Sequence, residues 1–347
     1  MGTEAEPIDS TTRPAGSTGA SGRMHAVVAR RYGPPDVLRF EEVDTPTPED
    51  DDVLIRVHAA ALNAADWHLL RADPPLVRLM GFGLFRPSDE IPGADVAGRV
   101  EAVGSGVTGF EPGDAVFGDL SACGRGSFAE YVCAPETALA PKPASLSFAD
   151  AAAVPMAGVT ALQGLRDEGG IRQGQRVLIT GASGGVGTFA VQIAKAFGAD
   201  VTGVCSTGKV DLVRSIGADH VVDYTREDFT ENREEYDLIL DAGAYRSILD
   251  CRRALRPDGT YVLVGGSTRR LVEAMLVGPV LSAIDGRTMG NLLAHPDRED
   301  LLTIGELVEA GDVTPVIDRR FPLAEVPEAI RYLEGGHARG KVVVAVN

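Results

Sequence analysis

The chain has 347 residues, 44 % of them hydrophobic and 24 % charged, and at roughly 150 residues per domain this length excludes a single small module. Lys and Arg number 33 against 50 Asp and Glu, a net charge of −17; such a balance excludes docking on a nucleic-acid backbone or an anionic membrane, because both need a cationic face. No apolar run reaches the ~18 residues that cross a bilayer, and the four cysteines Cys123, Cys133, Cys205 and Cys251 are too scattered for a disulfide framework, so reduced thiols in a cytoplasmic protein are expected.

Residues 1–23 are rich in Gly, Ser, Thr and acid and lack a basic start followed by an apolar stretch. They predict a disordered tail or an expression remnant, not a secretory signal. From Met24 to residue 147 the pattern is short β-type runs: Met24–Ala29, Val53–Ala60, Val96–Val103, Asp114–Phe117 and Phe128–Cys133, with Gly and Pro between them. Ser147–Asp167 is spaced for an Ala-rich helix. Over 148–295, strands at Val177–Thr180, Val201–Cys205, His220–Tyr224, Leu238–Ala242 and Tyr261–Gly265 alternate with helices at Gly184–Phe197, Val210–Ile216 and Ser247–Leu255. That alternation predicts an α/β domain with a doubly wound parallel sheet. The last stretch, 296–347, reads as two helices (Arg298–Ala310, Val326–Glu334) and two strands (Val316–Pro322, Lys341–Val346) that return to the first domain.

The sharpest local signal is Thr180-Gly181-Ala182-Ser183-Gly184-Gly185-Val186-Gly187, between a strand and a helix. Small residues there let backbone N–H groups of Ala182 to Gly187 approach a pyrophosphate, and the helix start adds partial positive charge. About 20 residues on, an acid would grip adenosine ribose hydroxyls. This chain instead reads Cys205-Ser206-Thr207-Gly208-Lys209. Hydroxyls and an ammonium suit a 2′-phosphate, so NADPH is expected over NADH.

The motifs Ala61-Leu62-Asn63-Ala64-Ala65-Asp66-Trp67, Pro92-Gly93-Ala94-Asp95-Val96-Ala97-Gly98, Pro112-Gly113-Asp114-Ala115-Val116 and Gly126-Ser127-Phe128-Ala129-Glu130-Tyr131, with the phosphate loop, span nearly everything from Met24 to Val346. In this order they resemble the medium-chain dehydrogenase/reductase superfamily. The resemblance implies a GroES-like β-barrel catalytic domain and a Rossmann domain, commonly paired as a homodimer through the Rossmann sheet edge. Zinc-dependent relatives carry a cysteine where this chain has Asn63 or its neighbours, Gly-His-Glu where it has Gly93-Ala94-Asp95, and another cysteine in the region of Val154–Gly158. No metal ligand set is therefore expected, and the chain is similar to the zinc-free quinone oxidoreductase-like branch, which also holds enone and enoyl-thioester reductases.

By that resemblance Asn63 lines the cleft floor beside the nicotinamide, or is a turn amide satisfying local backbone. Thr160 lies near the ring or its ribose, or bonds its own preceding turn. His68 stands where relatives place a proton donor, or is simply half-exposed; Asp66 orients that corner or caps a helix. Tyr224, at the end of the third strand, resembles a tyrosine that packs against the adenosine 2′-phosphate in relatives, or is an ordinary edge aromatic. Gly265 and Gly266 end the fifth strand, on the rim where open α/β sheets bind ligands; Asp241 has no assignment. Leu70–Ile91, with Leu76, Val77, Leu79, Met80, Phe82, Leu84 and Phe85, is expected to be a lid over an apolar small-molecule substrate or an inserted helix. Leu271–Ile284 would close the same cleft or enter a subunit interface. The expected activity is NADPH-dependent reduction of quinones or α,β-unsaturated carbonyls; the alternatives are metal-free alcohol and ketone interconversion, or NADPH binding without catalysis.

Overall fold

Short β-branched runs punctuated by Gly and Pro fill the N-terminal part of the chain, and in the computed structural model they become mostly antiparallel strands. The structure describes residues 22–75, 78, 82–231, 233–266 and 268–346. The tail up to residue 21, and Leu76, Val77, Leu79 and Met80 of the expected lid, lie outside the described residues. Strand β1 (Arg23–Val28) pairs with β2 (Arg39–Asp44). Strand β3 (Asp52–Leu62) leads into helix α1 (Ala64–Arg71), and β4 (Asp95–Val103), β5 (Ala115–Asp119), β6 (Tyr131–Pro135) and β7 (Leu139–Pro141) follow. Inward Val53, Ile55, Val57, Val96, Val116 and Leu139 form the core of this half. Each side chain of that size stabilises by ~1.5–3 kcal/mol relative to exposure.

The helix expected over Ser147–Asp167 is interrupted. Helix α2 (Phe148–Ala152) stops, and α3 (Pro155–Gln163) restarts with Pro155 in its first turn, followed by a π-turn over Gly164–Glu168. Proline has no N–H to continue the ladder from α2, yet it suits a helix start.

The second half builds a six-stranded parallel sheet from β8 (Arg176–Thr180), β9 (Asp200–Cys205), β10 (His220–Asp223), β11 (Tyr236–Asp241), β12 (Leu255–Leu263) and β13 (Thr288–Asn291), in the order β10-β9-β8-β11-β12-β13. Helices α4 (Gly185–Ala196), α5 (Val210–Ser215), α6 (Ile248–Ala254) and α7 (Thr268–Asp285) connect them. The sixth strand was not legible in Thr288–Asn291, where β-branching is sparse; it forms because it pairs with β12 at the sheet edge.

After α8 (Arg298–Glu309) come β14 (Ile317–Pro322), α9 (Val326–Glu334) and β15 (Lys341–Ala345). The last strand runs antiparallel beside β3, with Val342 opposite Leu62, and completes a seven-stranded sheet with β14, β3, β4, β5, β7 and β6. Just before it, the Gly340 N–H donates to Ser183 O at 2.9 Å. The chain end is thus pinned between the phosphate loop and the end of β3, where Asn63 follows.

Candidate active site

Strand β8 delivers the chain at Thr180, and Gly181 then turns with φ of +62°, a region that β-carbons disfavour. At Gly187 a Cβ would lie 2.1 Å from Gly181 O, so only glycine lets the helix start approach the turn. Gly184 caps α4 without a side-chain acceptor, and Gly185, Val186 and Gly187 form its first turn, whose N–H groups have no preceding helical carbonyl and stand at the positive end of the helix dipole. The Ala182 N–H, in contrast, donates to Val204 O at 3.1 Å, and the Gly184 N–H to Gly181 O at 2.9 Å. Behind the loop, the Thr180 hydroxyl donates to Asp241, which also accepts the Tyr261 hydroxyl (2.8 Å) and the Ala244 N–H (2.7 Å). Asp241 therefore holds the loop after β11 against the end of β8.

At the end of β9 the Cys205 thiol points into the core, and burial pushes it up to about 11. Ser206 opens the turn that carries Thr207 and Lys209. The Thr207 hydroxyl donates to Asp223 Oδ2 at 2.5 Å. This carboxylate arrives from the neighbouring strand, where the sequence alone gave no sign of it. It also accepts the Thr225 hydroxyl at 2.7 Å, and these hydroxyls hold it below the usual carboxylate range. Lys209 Nζ donates to Ala338 O at 2.9 Å; burial, and then the nearby Arg339 guanidinium, lower its pKa. Two cations thus lie near each other, with the Asp318 carboxylate, which accepts the Arg339 N–H at 3.0 Å, beside them. Arg339 was not anticipated, since no spacing rule connects it to Lys209. Tyr224 stacks on Tyr245, ring centroids 4.5 Å apart, both partly exposed beside this strand end. Gly265 is exposed.

Between the two halves lies a cleft of about 660 Å³. Its apolar wall includes Leu69, Phe82, Met156, Val159, Leu271 and Leu293, and its polar groups include His68, Asp119, Arg125 and Thr160, with Gly266 from the rim of the parallel sheet. The Thr160 hydroxyl donates to Met156 O at 2.7 Å, so it lines the cleft while bonded to its own preceding turn. The His68 ring stacks on Trp67, with Nδ1 3.0 Å from Asp73 O. A carbonyl only accepts, so Nδ1 carries the hydrogen, and Nε2 of the neutral ring is an acceptor. Of the expected lid, Phe82 lines the cleft, whereas Leu84 and Phe85 point into solvent.

Behind this wall is a buried polar knot. Lys341 Nζ donates to Asn63 Oδ1 at 2.6 Å and to Asp95 Oδ2 at 2.9 Å, and Asn63 Nδ2 donates to the same Asp95 oxygen at 2.9 Å. Asp95 Oδ1 accepts the Met156 N–H at 2.9 Å. Lys341 is 2 % exposed and Asp95 0 %, and the Lys341 stem packs on Gly185, where a Cβ would meet its Cδ at 3.2 Å. Asn63 is thus oriented by one cation and one anion, beyond local turn bonding alone. The knot is not legible locally because its members lie 32 to 278 residues apart. Asp66 lines a small pocket adjoining the cleft, with Tyr32, Leu70 and Arg125: its carboxylate accepts the Asn63 N–H at 2.7 Å in a capping box, and burial raises its pKa to about 7.

Residues 49–144 match the family described as Alcohol dehydrogenase GroES-like domain, and residues 216–344 the family described as Zinc-binding dehydrogenase. The 2-methylene-furan-3-one reductase of Solanum lycopersicum is 37 % identical over 90 % of this chain and 76 % of its own length. The chloroplastic NADPH-dependent alkenal/one oxidoreductase of Arabidopsis thaliana is 36 % identical over 92 % of this chain and 79 % of its own. The solved quinone oxidoreductase of Coxiella burnetii superposes with a TM-score of 0.84 at 32 % identity, over 94 % of this chain and all of that one. The chain belongs to the medium-chain dehydrogenase/reductase superfamily, in its quinone oxidoreductase-like branch. It is therefore an oxidoreductase with a GroES-like domain and a Rossmann-like parallel sheet, using a nicotinamide coenzyme. Among the described residues no group of three or more His, Cys, Asp or Glu could hold a metal ion, and the Lys341 ammonium already neutralises Asp95, leaving a second cation to face like charge.

Proposed function

We propose that this enzyme reduces quinones or α,β-unsaturated carbonyl compounds with NADPH and without a metal ion. The reading rests above all on the meeting of the phosphate loop, the apolar cleft and the Lys341–Asp95–Asn63 knot, in which a lysine ammonium is the fixed cation. Reduced nicotinamide supplies a hydride when bound, and reduction of an activated C=C or a quinone ring needs positioned donors more than a Lewis acid. The first turn of α4 would hold the pyrophosphate, and Lys209 and Arg339 would take the adenosine 2′-phosphate. The Asp223 carboxylate is turned onto Thr207 and Thr225, and Asp318 onto the Tyr332 hydroxyl and the Arg339 N–H, which would leave the two cationic heads to the ligand. Leu69, Val159, Leu271 and Leu293 favour a bulky apolar substrate. The relatives' printed activities, on enones and quinones, support the same class.

A homodimer is part of the proposal. Val272, Leu276, Val280 and Ile284 recur every fourth residue along α7 and are exposed, beside the edge strand β13, as an unpartnered apolar stripe would be before pairing. Among the described residues no helix is long and apolar enough to cross a membrane, and the four cysteines are free thiols; a cytoplasmic location fits both, and fractionation checks it.

The test is steady-state oxidation of NADPH and NADH with a panel of quinones, enones and ketones, followed by product analysis. A saturated carbonyl or a hydroquinone, formed with NADPH preferred, supports the proposal. An alcohol from a ketone supports carbonyl reduction instead, and tight NADPH binding without turnover on any substrate contradicts an enzyme of this class.

A further inference from the structure

We propose that Asp119 is the acid of the cleft: its carboxyl delivers the proton that completes reduction of the substrate. The assignment rests on the reductase reading above. Asp119 ends β5 and stands in register with Asp95 on β4, so two carboxylates sit on neighbouring strands, and the ammonium near them is bonded to Asp95. Lys341 is bonded to Asp95, and Asp95 has the Met156 N–H and the Asn63 amide as further donors; its charge is fully met. Among the described residues Asp119 receives Ser121, whose N–H lies 2.8 Å from Oδ1, and it faces the Asp95 charge. Of the two, Asp119 is the carboxyl left to hold a proton. Burial, and then the Asp95 charge, push it up to about 6.

Asp119 is also placed for transfer. It lines the substrate cleft and, through its other side, an adjoining cavity of about 270 Å³ lined by Thr137, Asp297 and Arg298, which gives water a polar route to reprotonate it. The charged and titratable groups around it are Asp95 and Lys341 from the knot, Cys123 on its own loop, Arg125, His68, Asp73 and His295 in the cleft, and Asp297 and Arg298 behind. His68 is less suited, because its free Nε2 accepts a hydrogen bond when the ring is neutral.

A bound reduced nicotinamide would supply a hydride to the β-carbon of the enone, the electron pair of the C=C moving to oxygen to leave an enolate. The O–H bond of Asp119 then breaks, its electron pair stays on the carboxylate, and its proton forms the new C–H bond at the α-carbon. Water returns a proton to Asp119. For a quinone the proton goes to a ring oxygen.

Three measurements test this on the full-length enzyme. First, wild-type kcat should be level below pH 6 and fall about tenfold per pH unit above it. Second, Asp119→Asn should lower kcat at pH 6 by ~10²-fold or more, with KM nearly unchanged and the pH slope gone; Asp119→Glu, which keeps an acid, should retain the slope. Third, because Asp66 also titrates near 7, infrared difference spectra without coenzyme are taken in an Asp66→Asn background, where a protonated-carboxyl band titrating near pH 6 should be present and should vanish when Asp119→Asn is added. A wild-type kcat independent of pH, an Asp119→Asn enzyme that keeps wild-type kcat and slope, or a band that survives adding Asp119→Asn to Asp66→Asn overturns the assignment. Should the wild type reduce nothing in the panel, the reductase reading falls, and the infrared titration still decides whether Asp119 holds the proton.

Discussion

The phosphate loop and the Asn63 knot stand back to back, and they are built in opposite ways. The loop runs through eight consecutive residues, from Thr180 to Gly187, and works through main-chain N–H groups. The knot gathers three side chains from β15, β4 and the end of β3, and works through one ammonium and one carboxylate removed from water. They touch where the Lys341 stem packs on Gly185. The contrast teaches that a backbone ligand site can be specified by small residues in sequence order, whereas a buried charge network exists only once the tertiary fold has closed.

The largest expected effect breaks the knot. Lys341→Met leaves Asp95 as an uncompensated buried anion and should lower stability by ~3–5 kcal/mol in urea denaturation. Adding Asp95→Asn removes that charge and should recover most of the loss; equal instability of the single and double variants would mean that the pair is not coupled.

Gly187→Val breaks the loop instead. Its first side-chain carbon would enter the Gly181 carbonyl, and NADPH affinity in a fluorescence titration should fall by at least ~100-fold, ~2.7 kcal/mol. A loss below tenfold would place the pyrophosphate elsewhere.

These two sites also differ in how far the sequence reveals them. The strand–turn–helix around Gly181–Gly187 is found at its expected place because glycine spacing and β-branched runs are local signals. The polar knot stays hidden: Asn63 and Asp95 are visible only as departures from zinc-ligand positions, and Lys341 reads as one more lysine at a strand start. Asp66 and Asp119 are similar cases, since a carboxylate's role depends on burial and on neighbours from other strands. The single helix expected over Ser147–Asp167 divides at Pro155 for a local reason that the Ala-rich spacing obscured. Asp241 had no reading at all until Thr180, Tyr261 and Ala244 were seen to bind it.

The adenosine end sharpens the comparison, because side chains there act on the loop's ligand. Lys209→Ala and Arg339→Ala should each weaken NADPH binding by ~10-fold, ~1.4 kcal/mol, and leave NADH nearly unchanged. Equal losses for both coenzymes would show that neither cation meets the 2′-phosphate.

A pH dependence of stability comes from the carboxyl at the start of α1. Asp66 titrates near 7 in the folded chain against 3.8 for the ordinary group. Between those values the folded state holds a proton that the unfolded state has lost, so stability falls as pH rises from about 4 to about 7; Asp119 contributes in the same direction. Asp66→Asn keeps an oxygen to cap α1 and should flatten the decline in Tm across that range. An unchanged decline would mean that Asp66 is ionised in the fold.

The most direct test of metal-free reduction is a single-turnover reaction of the purified enzyme, first stripped with chelator and checked by elemental analysis, with NADPH deuterated at the transferring C4 position and an enone substrate. The account predicts full transfer of deuterium to the β-carbon at the rate of the untreated enzyme. Loss of transfer on stripping, with recovery on adding Zn²⁺, would contradict it.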